Sequence, residues 1–247
     1  MIVDNFMSRY FIEVSYKGTN YSGFQIQHNA NSVQAEIEKA LQIYFKQKFV
    51  LTGSSRTDAG VHALQNFFHF DSLVTINDEA YNLNAILPAD IVIKKIFEVN
   101  EEAHCRFDAI NREYRYYIYQ HKNPFFQNRA YYYPYALNID LLQQAAKEIM
   151  NHADFTSFSK RNTQVKSFLC NIYESEWIQQ ADCLVYQIKA NRFLRGMVKG
   201  LVGTMLQVGR KKLSVDVFRT IIEKKDCTKA DFSVPSHGLF LYKVEFS

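Results

Sequence analysis

Phe11-Ile-Glu-Val-Ser-Tyr16, followed by Gly18-Thr-Asn-Tyr-Ser-Gly23, decides how the chain is organised. In the first run Ile12, Val14 and Tyr16 share one face at a period of two, the pattern of a half-buried strand, and the glycine-bounded second run interrupts it as a loop. Asn31 or Ser32 then stands where a helix cap is needed, ahead of Val33, Ile37, Ala40, Leu41 and Tyr44 at helical spacing. Glu36 and Glu38 lie near the positive end of that helix dipole. A strand, a loop and a helix therefore open the protein.

Outward from this unit, Phe49-Val-Leu-Thr52, Asn66-Phe-Phe-His-Phe70, Ile91-Val-Ile93 and Ile96-Phe97 read as strands. Glu113 to Gln120 alternates as a strand would, with Tyr at 114, 116, 117 and 119. Helices are predicted from about Asp140 to Met150, Phe193 to Gln207 and Ser214 to Glu223, and Leu239 to Phe246 closes as a strand. No short repeat and no low-complexity linker occurs. Each half offers strands, a long helix and more strands, so two α+β subdomains sharing one sheet is the economical arrangement.

The 247 residues are enough to bury a sizeable core and exclude a disulfide-stapled miniprotein. Nine glycines and four prolines exclude collagen-like and linker-rich readings. No stretch has the length of apolar sequence that a membrane span needs, and the start MIVDNFMSRYFIEVSY lacks the order of a signal peptide, which places the protein in the cytoplasm. Cys105, Cys170, Cys183 and Cys227 form no C-x-x-C pair and have no His at ligand spacing, so neither a zinc site nor a redox motif is expected. Residues 1–105 carry 8 Lys+Arg against 12 Asp+Glu, a net −4, whereas residues 106–247 carry 21 against 13, a net +8. The whole-chain +4 hides a basic second half suited to neutralising phosphates, or simply a solvated surface. The boundary between subdomains 1–105 and 106–247 is expected between Glu101 and Asp108, where the charge changes sign.

Gly53-Ser-Ser-Arg-Thr-Asp-Ala-Gly-Val-His62 sets a short polar run between two glycines and two apolar strands. Such a loop turns sharply and presents a side chain to a cleft. Asp58, two residues from Arg56, can be held ionised as a nucleophile or base. An Asp that merely satisfies turn amides fits the same residues. A P-loop does not fit, because its Gly and Lys spacing is absent. Arg112-Glu-Tyr-Arg-Tyr-Tyr-Ile-Tyr119 interleaves cations with rings, as in surfaces that stack bases and meet phosphates, or in a half-buried strand. Alternation places Tyr114 and Tyr116 opposite Arg115 and Tyr117. On the third predicted helix Arg192, Arg195 and Lys199 stand at spacings of three and four and can share a face. Gly196, Gly200 and Gly203 weaken that helix unless something packs close to its backbone. The Tyr131-Tyr-Tyr-Pro-Tyr135 cluster and His62 read as structural.

Taken together these segments resemble one family. Ser55-Arg-Thr-Asp-Ala-Gly-Val-His-Ala63 is similar to the signature of the TruA family of tRNA pseudouridine synthases, with Ser55 where Gly is usual. Tyr16-Lys-Gly-Thr-Asn-Tyr-Ser-Gly-Phe-Gln25, Ser32-Val-Gln34, Cys105-Arg-Phe-Asp-Ala109, Arg112-Glu-Tyr-Arg-Tyr116, Asp154-Phe-Thr-Ser-Phe158, Phe193-Leu-Arg-Gly-Met-Val-Lys-Gly-Leu-Val-Gly203 and Gly238-Leu-Phe-Leu-Tyr242 continue the likeness in order, from about Phe11 to Phe246. The resemblance implies an isomerase, an intramolecular transferase that converts uridine to pseudouridine around positions 38 to 40 of the tRNA anticodon stem-loop. It implies a homodimer with no metal and no organic cofactor.

The resemblance also assigns roles. Asp58 matches the catalytic aspartate, Tyr114 the tyrosine that stacks on the target base, and Arg56 an arginine that helps displace that base. Lys199 stands where the family more often has an Arg paired with the aspartate. Lys keeps the charge but loses the bidentate fork. Arg192, Arg195, Lys160, Arg161 and the Arg210-Lys-Lys212 run are the candidate phosphate contacts. Attack of Asp58 on C1′, attack on C6 and deprotonation of the sugar all remain open.

The combined expectation is an α+β enzyme of two related subdomains in one continuous, mainly antiparallel sheet flanked by helices, with the active cleft between the halves. Two rivals are a catalytically silent tRNA-binding or folding protein on the same scaffold and a nucleotide hydrolase. The second requires a metal cluster or a second carboxylate that the sequence does not offer.

Overall fold

A computed structural model describes residues 7–77, 79–161 and 165–246. Residues 1–6, part of the start read above for a leader, lie outside them. The chain forms two compact units: one runs up to Ile110 and takes back the residues from Leu241, and the other is Asn111–Phe240.

In the first unit β1 (Ser8–Tyr16) leads to α1 (Val33–Phe45), β2 (Thr52–Gly53), β3 (His62–Ser72), α2 (Ala80–Ile86) and β4 (Ile91–Val99). β1 lies between β4 and β3, antiparallel to both, and β2 pairs with β3. Ile12, Val14 and Tyr16 are buried as their alternation requires. The predicted cap is Ser32, whose hydroxyl accepts from the Ala35 amide at 3.3 Å while Glu36 occupies the first turn. Val33, Ile37, Ala40 and Leu41 form the buried face of α1. α2 was not foreseen. It has seven residues and no side-chain cap, and its place comes from tertiary contacts. The Asn84 side chain exchanges two hydrogen bonds, both of 2.8 Å, with the backbone of Ile93. From α1, the Tyr44 hydroxyl reaches Glu79 at 2.7 Å.

The second unit contains β5 (Ala109–Tyr119, all but its first two residues), β6 (Tyr131–Tyr132), α3 (Ile139–Ile149), β7 (Ile172–Gln180), β8 (Cys183–Ala190), α4 (Met197–Gly209) and α5 (Val215–Glu223). β8 lies between β5 and β7, antiparallel to both, and the short β6 runs parallel to β5. α3 packs on β7, α4 and α5. Asn138 and Ser214 cap α3 and α5 through side-chain oxygens. The β7–β8 hairpin was not read from the sequence, because its turn at Ala181-Asp182 has neither Gly nor Asn; Ala181 itself takes φ 48°. Gln143 of α3 clasps it by exchanging hydrogen bonds with the Trp177 backbone. The last strand, β9 (Leu239–Phe246), begins in this unit and ends in the first. There Phe246 packs its ring on Phe11 and Phe67. Among the described residues nine strands, mostly antiparallel, with five α-helices give the expected α+β class.

One expectation needs correction. The third predicted helix does not begin at Phe193 but at Met197, because Gly196 takes φ 77° and breaks the helical run. Arg192 and Arg195 therefore precede α4 on an irregular segment, and the shared helical face with Lys199 does not exist.

Candidate active site

The loop from Ser54 to Val61 is fixed to its own unit by polar contacts over long sequence distances. Asn66 on β3 is fully buried and ties the loop's entry: its Oδ1 accepts from the Ser55 amide at 3.3 Å and its Nδ2 donates to the Ser55 carbonyl at 2.8 Å. The same Nδ2 donates to the Tyr16 hydroxyl, which is 2.8 Å from Thr57 Oγ1. The Thr57 carbonyl accepts from the Phe24 amide, Asp58 bridges to Gly23, and the Asp58 carbonyl accepts from Val61. Arg56 is left exposed and Asp58 half-buried.

The Gly18–Gly23 loop forms the other wall. The Gly18 amide donates to His62 Nδ1 at 3.0 Å, which makes this buried His a structural acceptor as expected. A side chain at Gly18 would collide with the Val61 carbonyl, so only glycine permits this approach. Tyr21 and Asn20 hold the Asp90 carboxylate at 2.5 and 2.9 Å. Burial and that bond to Asp90 both push the Tyr21 hydroxyl's pKa up, so it stays a donor. Sequence reasoning singled out Asp58 but not the supports Asn66, Tyr16 and Asp90, because the Tyr16–Thr57, Asn66–Tyr16 and Asn20–Asp90 bonds join residues 41 to 70 positions apart.

In the second unit Tyr114 is buried on β5 and meets Phe193 edge to face, with ring centroids 4.9 Å apart. Tyr116, on the same face, donates to the Pro235 carbonyl at 2.7 Å and fixes the turn before β9. Ser236 in that turn accepts from Lys199 Nζ at 3.3 Å. Burial is the main cause that lowers the pKa of neighbouring His237, and the Lys199 charge adds to it. α4 itself is sunk in apolar packing, with Met197, Leu201, Val202 and Met205 fully buried. Its glycines serve close packing, as anticipated: Gly200 faces Phe232 and Phe158, and Gly203 faces the Asp231 backbone.

The remaining predicted cations are spread over this unit. Lys160 lays its stem along Gly196 and its amide donates to the Arg195 carbonyl. Lys160 and Arg161 line an open cavity of about 360 Å³ with Thr156, Ser159, Phe168 and Lys225. Arg210 sits 3.9 Å over the Tyr135 ring. Arg112 and Arg115 are engaged locally, with the Asn191 carbonyl and with Glu113. Among the described residues no group of three or more His, Cys, Asp or Glu is placed to hold a metal ion, and no helix is long and apolar enough to cross a membrane.

The family model described as tRNA pseudouridine synthase matches residues 12–108 and 145–247. The chain is 46% identical to the tRNA pseudouridine synthase A of Parabacteroides distasonis, covering 97% of this chain and 96% of that one. It is 44% identical to that of Bacteroides thetaiotaomicron, over 97% and 91%, and 39% identical to that of Bacillus subtilis, over 94% and 97%.

Proposed function

The chain belongs to the tRNA pseudouridine synthase family and is an isomerase of uridine in tRNA, and from that premise we propose how its residues share the work. Asp58 is the reacting carboxylate and Lys199 supplies its counter-charge. Tyr114 stacks on the target uracil, and Arg56 takes part in displacing it from its helix. The targets are uridines at positions 38 to 40 of the anticodon stem-loop, with Arg192, Arg195, Lys160, Arg161 and Arg210-Lys-Lys212 meeting phosphates. The enzyme works as a cytoplasmic homodimer.

The observation that carries this reading is the way Asp58 is held. Its backbone is bonded on both sides, through the bridge to Gly23 and the bond from Val61, while its neighbour Thr57 is bound to Tyr16 and Phe24. A carboxylate in such a loop is pre-positioned, and positioning contributes much of the rate in a reaction with few covalent partners. The step balances without a co-reactant. The C1′–N1 bond breaks, the uracil turns, C5 bonds to C1′, the proton on C5 leaves and N1 gains one. No metal or organic cofactor is called for by that balance.

Incubating the purified protein with an unmodified tRNA transcript, beside Asp58→Ala and Tyr114→Phe, and mapping pseudouridine tests the proposal. Product at positions 38 to 40 that disappears with Asp58→Ala supports it. Product elsewhere sinks the site assignment. Unchanged product from Asp58→Ala removes the aspartate from the chemistry, and no product from the unaltered chain favours the silent tRNA-binding protein.

A further inference from the structure

The turn from His104 to Asp108 displays an aromatic ring to solvent and holds it still. The His104 amide donates to Asp108 Oδ2 at 2.6 Å, and His104 Nδ1 accepts from the amides of Arg106 and Phe107 at 3.1 and 3.4 Å. The amides of Phe107 and Asp108 both donate to the His104 carbonyl. The His104 ring is wedged in turn against buried His69, with centroids 4.6 Å apart. Phe107 rests on His104 at 4.2 Å and 34° between planes, yet remains 74% exposed. The Arg106 guanidinium lies 5.7 Å from the Phe107 centroid.

An exposed phenylalanine gains nothing from the hydrophobic effect in the free protein. Five hydrogen bonds and a histidine support that pin it in place are the construction of a platform, because ordering has been completed before a ligand arrives. A flat ring flanked by a guanidinium suits one ligand chemistry above others. A nucleobase stacks on the ring while the cation meets its phosphate. An apolar protein surface is a poorer match, since the Arg106 guanidinium lies over the ring and the Asp108 carboxylate closes the same turn.

We propose that Phe107 is a stacking platform for an unpaired nucleobase of the tRNA, separate from the target uridine assigned to Tyr114. This rests on tRNA being the substrate. It adds a binding residue to the reading above and asks nothing of Phe107 in the chemical step.

Phe107→Ala and Phe107→Trp, assayed on an unmodified tRNA transcript and titrated directly against the same transcript carrying a fluorescent label, provide the test. Stacking contributes enough per base that Phe107→Ala is expected to raise KM and Kd roughly 5- to 150-fold. kcat, the melting temperature and the slope of log K against log salt should stay unchanged, because no phosphate contact is lost. Phe107→Trp should restore affinity. The chain's single native tryptophan, Trp177, is buried, so the new indole should dominate any fluorescence quenching by added tRNA. An unaltered KM and Kd in Phe107→Ala would overturn the platform while leaving the enzyme reading intact. A change in oligomeric mass with no change in tRNA affinity would overturn it too, by assigning the ring to a protein contact. If the unaltered chain binds no tRNA in the titration, platform and substrate reading fall together. If it binds but forms no pseudouridine, only the enzyme reading falls.

Discussion

Asp58 and Lys199 are positioned by different physics. The Asp58 loop is tied by hydrogen bonds from Asn66, Tyr16 and backbone groups, with few large apolar side chains of its own. Lys199 belongs to a helix whose register is set by buried Met197, Leu201, Val202 and Met205, and its head donates to Ser236. Directional bonds fix a short loop that has no regular ladder. Apolar burial is non-directional but large, and it fixes a whole helix. The first device predicts losses that appear in catalysis, and the second predicts losses that appear in stability.

The largest expected effect breaks this comparison at the proposed reacting group. Asp58→Ala should lower the rate of pseudouridine formation by about 10⁴-fold or more, with an unchanged melting temperature, as read by single-turnover assay and calorimetry. On the apolar side, Leu201→Ala should cost about 2 to 5 kcal/mol of stability, measured by urea unfolding. Its kcat, corrected for the folded fraction, should move little. A kcat loss beyond the lost folded fraction would mean that the apolar packing of α4 also sets the position of Lys199.

Asn66→Ala sharpens the polar side. It removes the Asn66 bonds to the Ser55 amide and carbonyl and to the Phe67 amide, at a cost of about 1 to 3 kcal/mol. Part of that cost should appear as a lower kcat in the same assay, because the Asp58 loop loosens. A variant that loses stability but keeps kcat would separate the network from the site.

The smallest effects are two acid transitions. In the first unit burial lowers the His69 pKa from 6.5 to about 4, and the Cys105 amide donates to its Nδ1, so the folded state holds the ring neutral. The unfolded chain protonates it first, and stability therefore declines as pH falls from about 6.5 to about 4. In the second unit the Arg219 hydrogen bond lowers the Glu148 pKa from 4.5 to about 2, with His152 assisting. Its stabilisation is complete above about 4.5 and is lost as pH falls toward 2. Thermal melts across pH should show His69→Gln flattening the upper interval and Glu148→Gln the lower. A shared flattening would indicate that the two groups are not independent.

Local signals were legible where the residues carried them locally. The cap at Ser32 and the apolar spacing behind it marked α1, and helical runs from about Asp140 to Met150 and from Ser214 to Glu223 marked α3 and α5. The alternation of Tyr114 and Tyr116 against Arg115 and Tyr117 placed the first pair inside β5. α2, the β7–β8 hairpin and the late start of α4 were not legible. α2 depends on Asn84 finding Ile93 of the next strand and on Glu79 finding Tyr44 of α1, and a single glycine's φ decides where α4 begins. In the sequence Phe107 stands only as one residue of the Cys105–Ala109 run, and only the fold shows that the His104 turn holds it outside the core.

The amino-acid sequence alone determined the α+β class, the unequal charge of the two halves and the family, and it singled out the aspartate proposed to react, because periodicity, composition and contiguous motifs are written in consecutive residues. The tertiary structure alone decided what holds that aspartate, which rings are buried and which is displayed. The aspartate loop is tied through pairs such as Tyr16–Thr57 and Asn66–Tyr16, 41 and 50 positions apart, and the local turn that displays Phe107 is backed by His69 from a distant strand, so consecutive residues carry no signal of either.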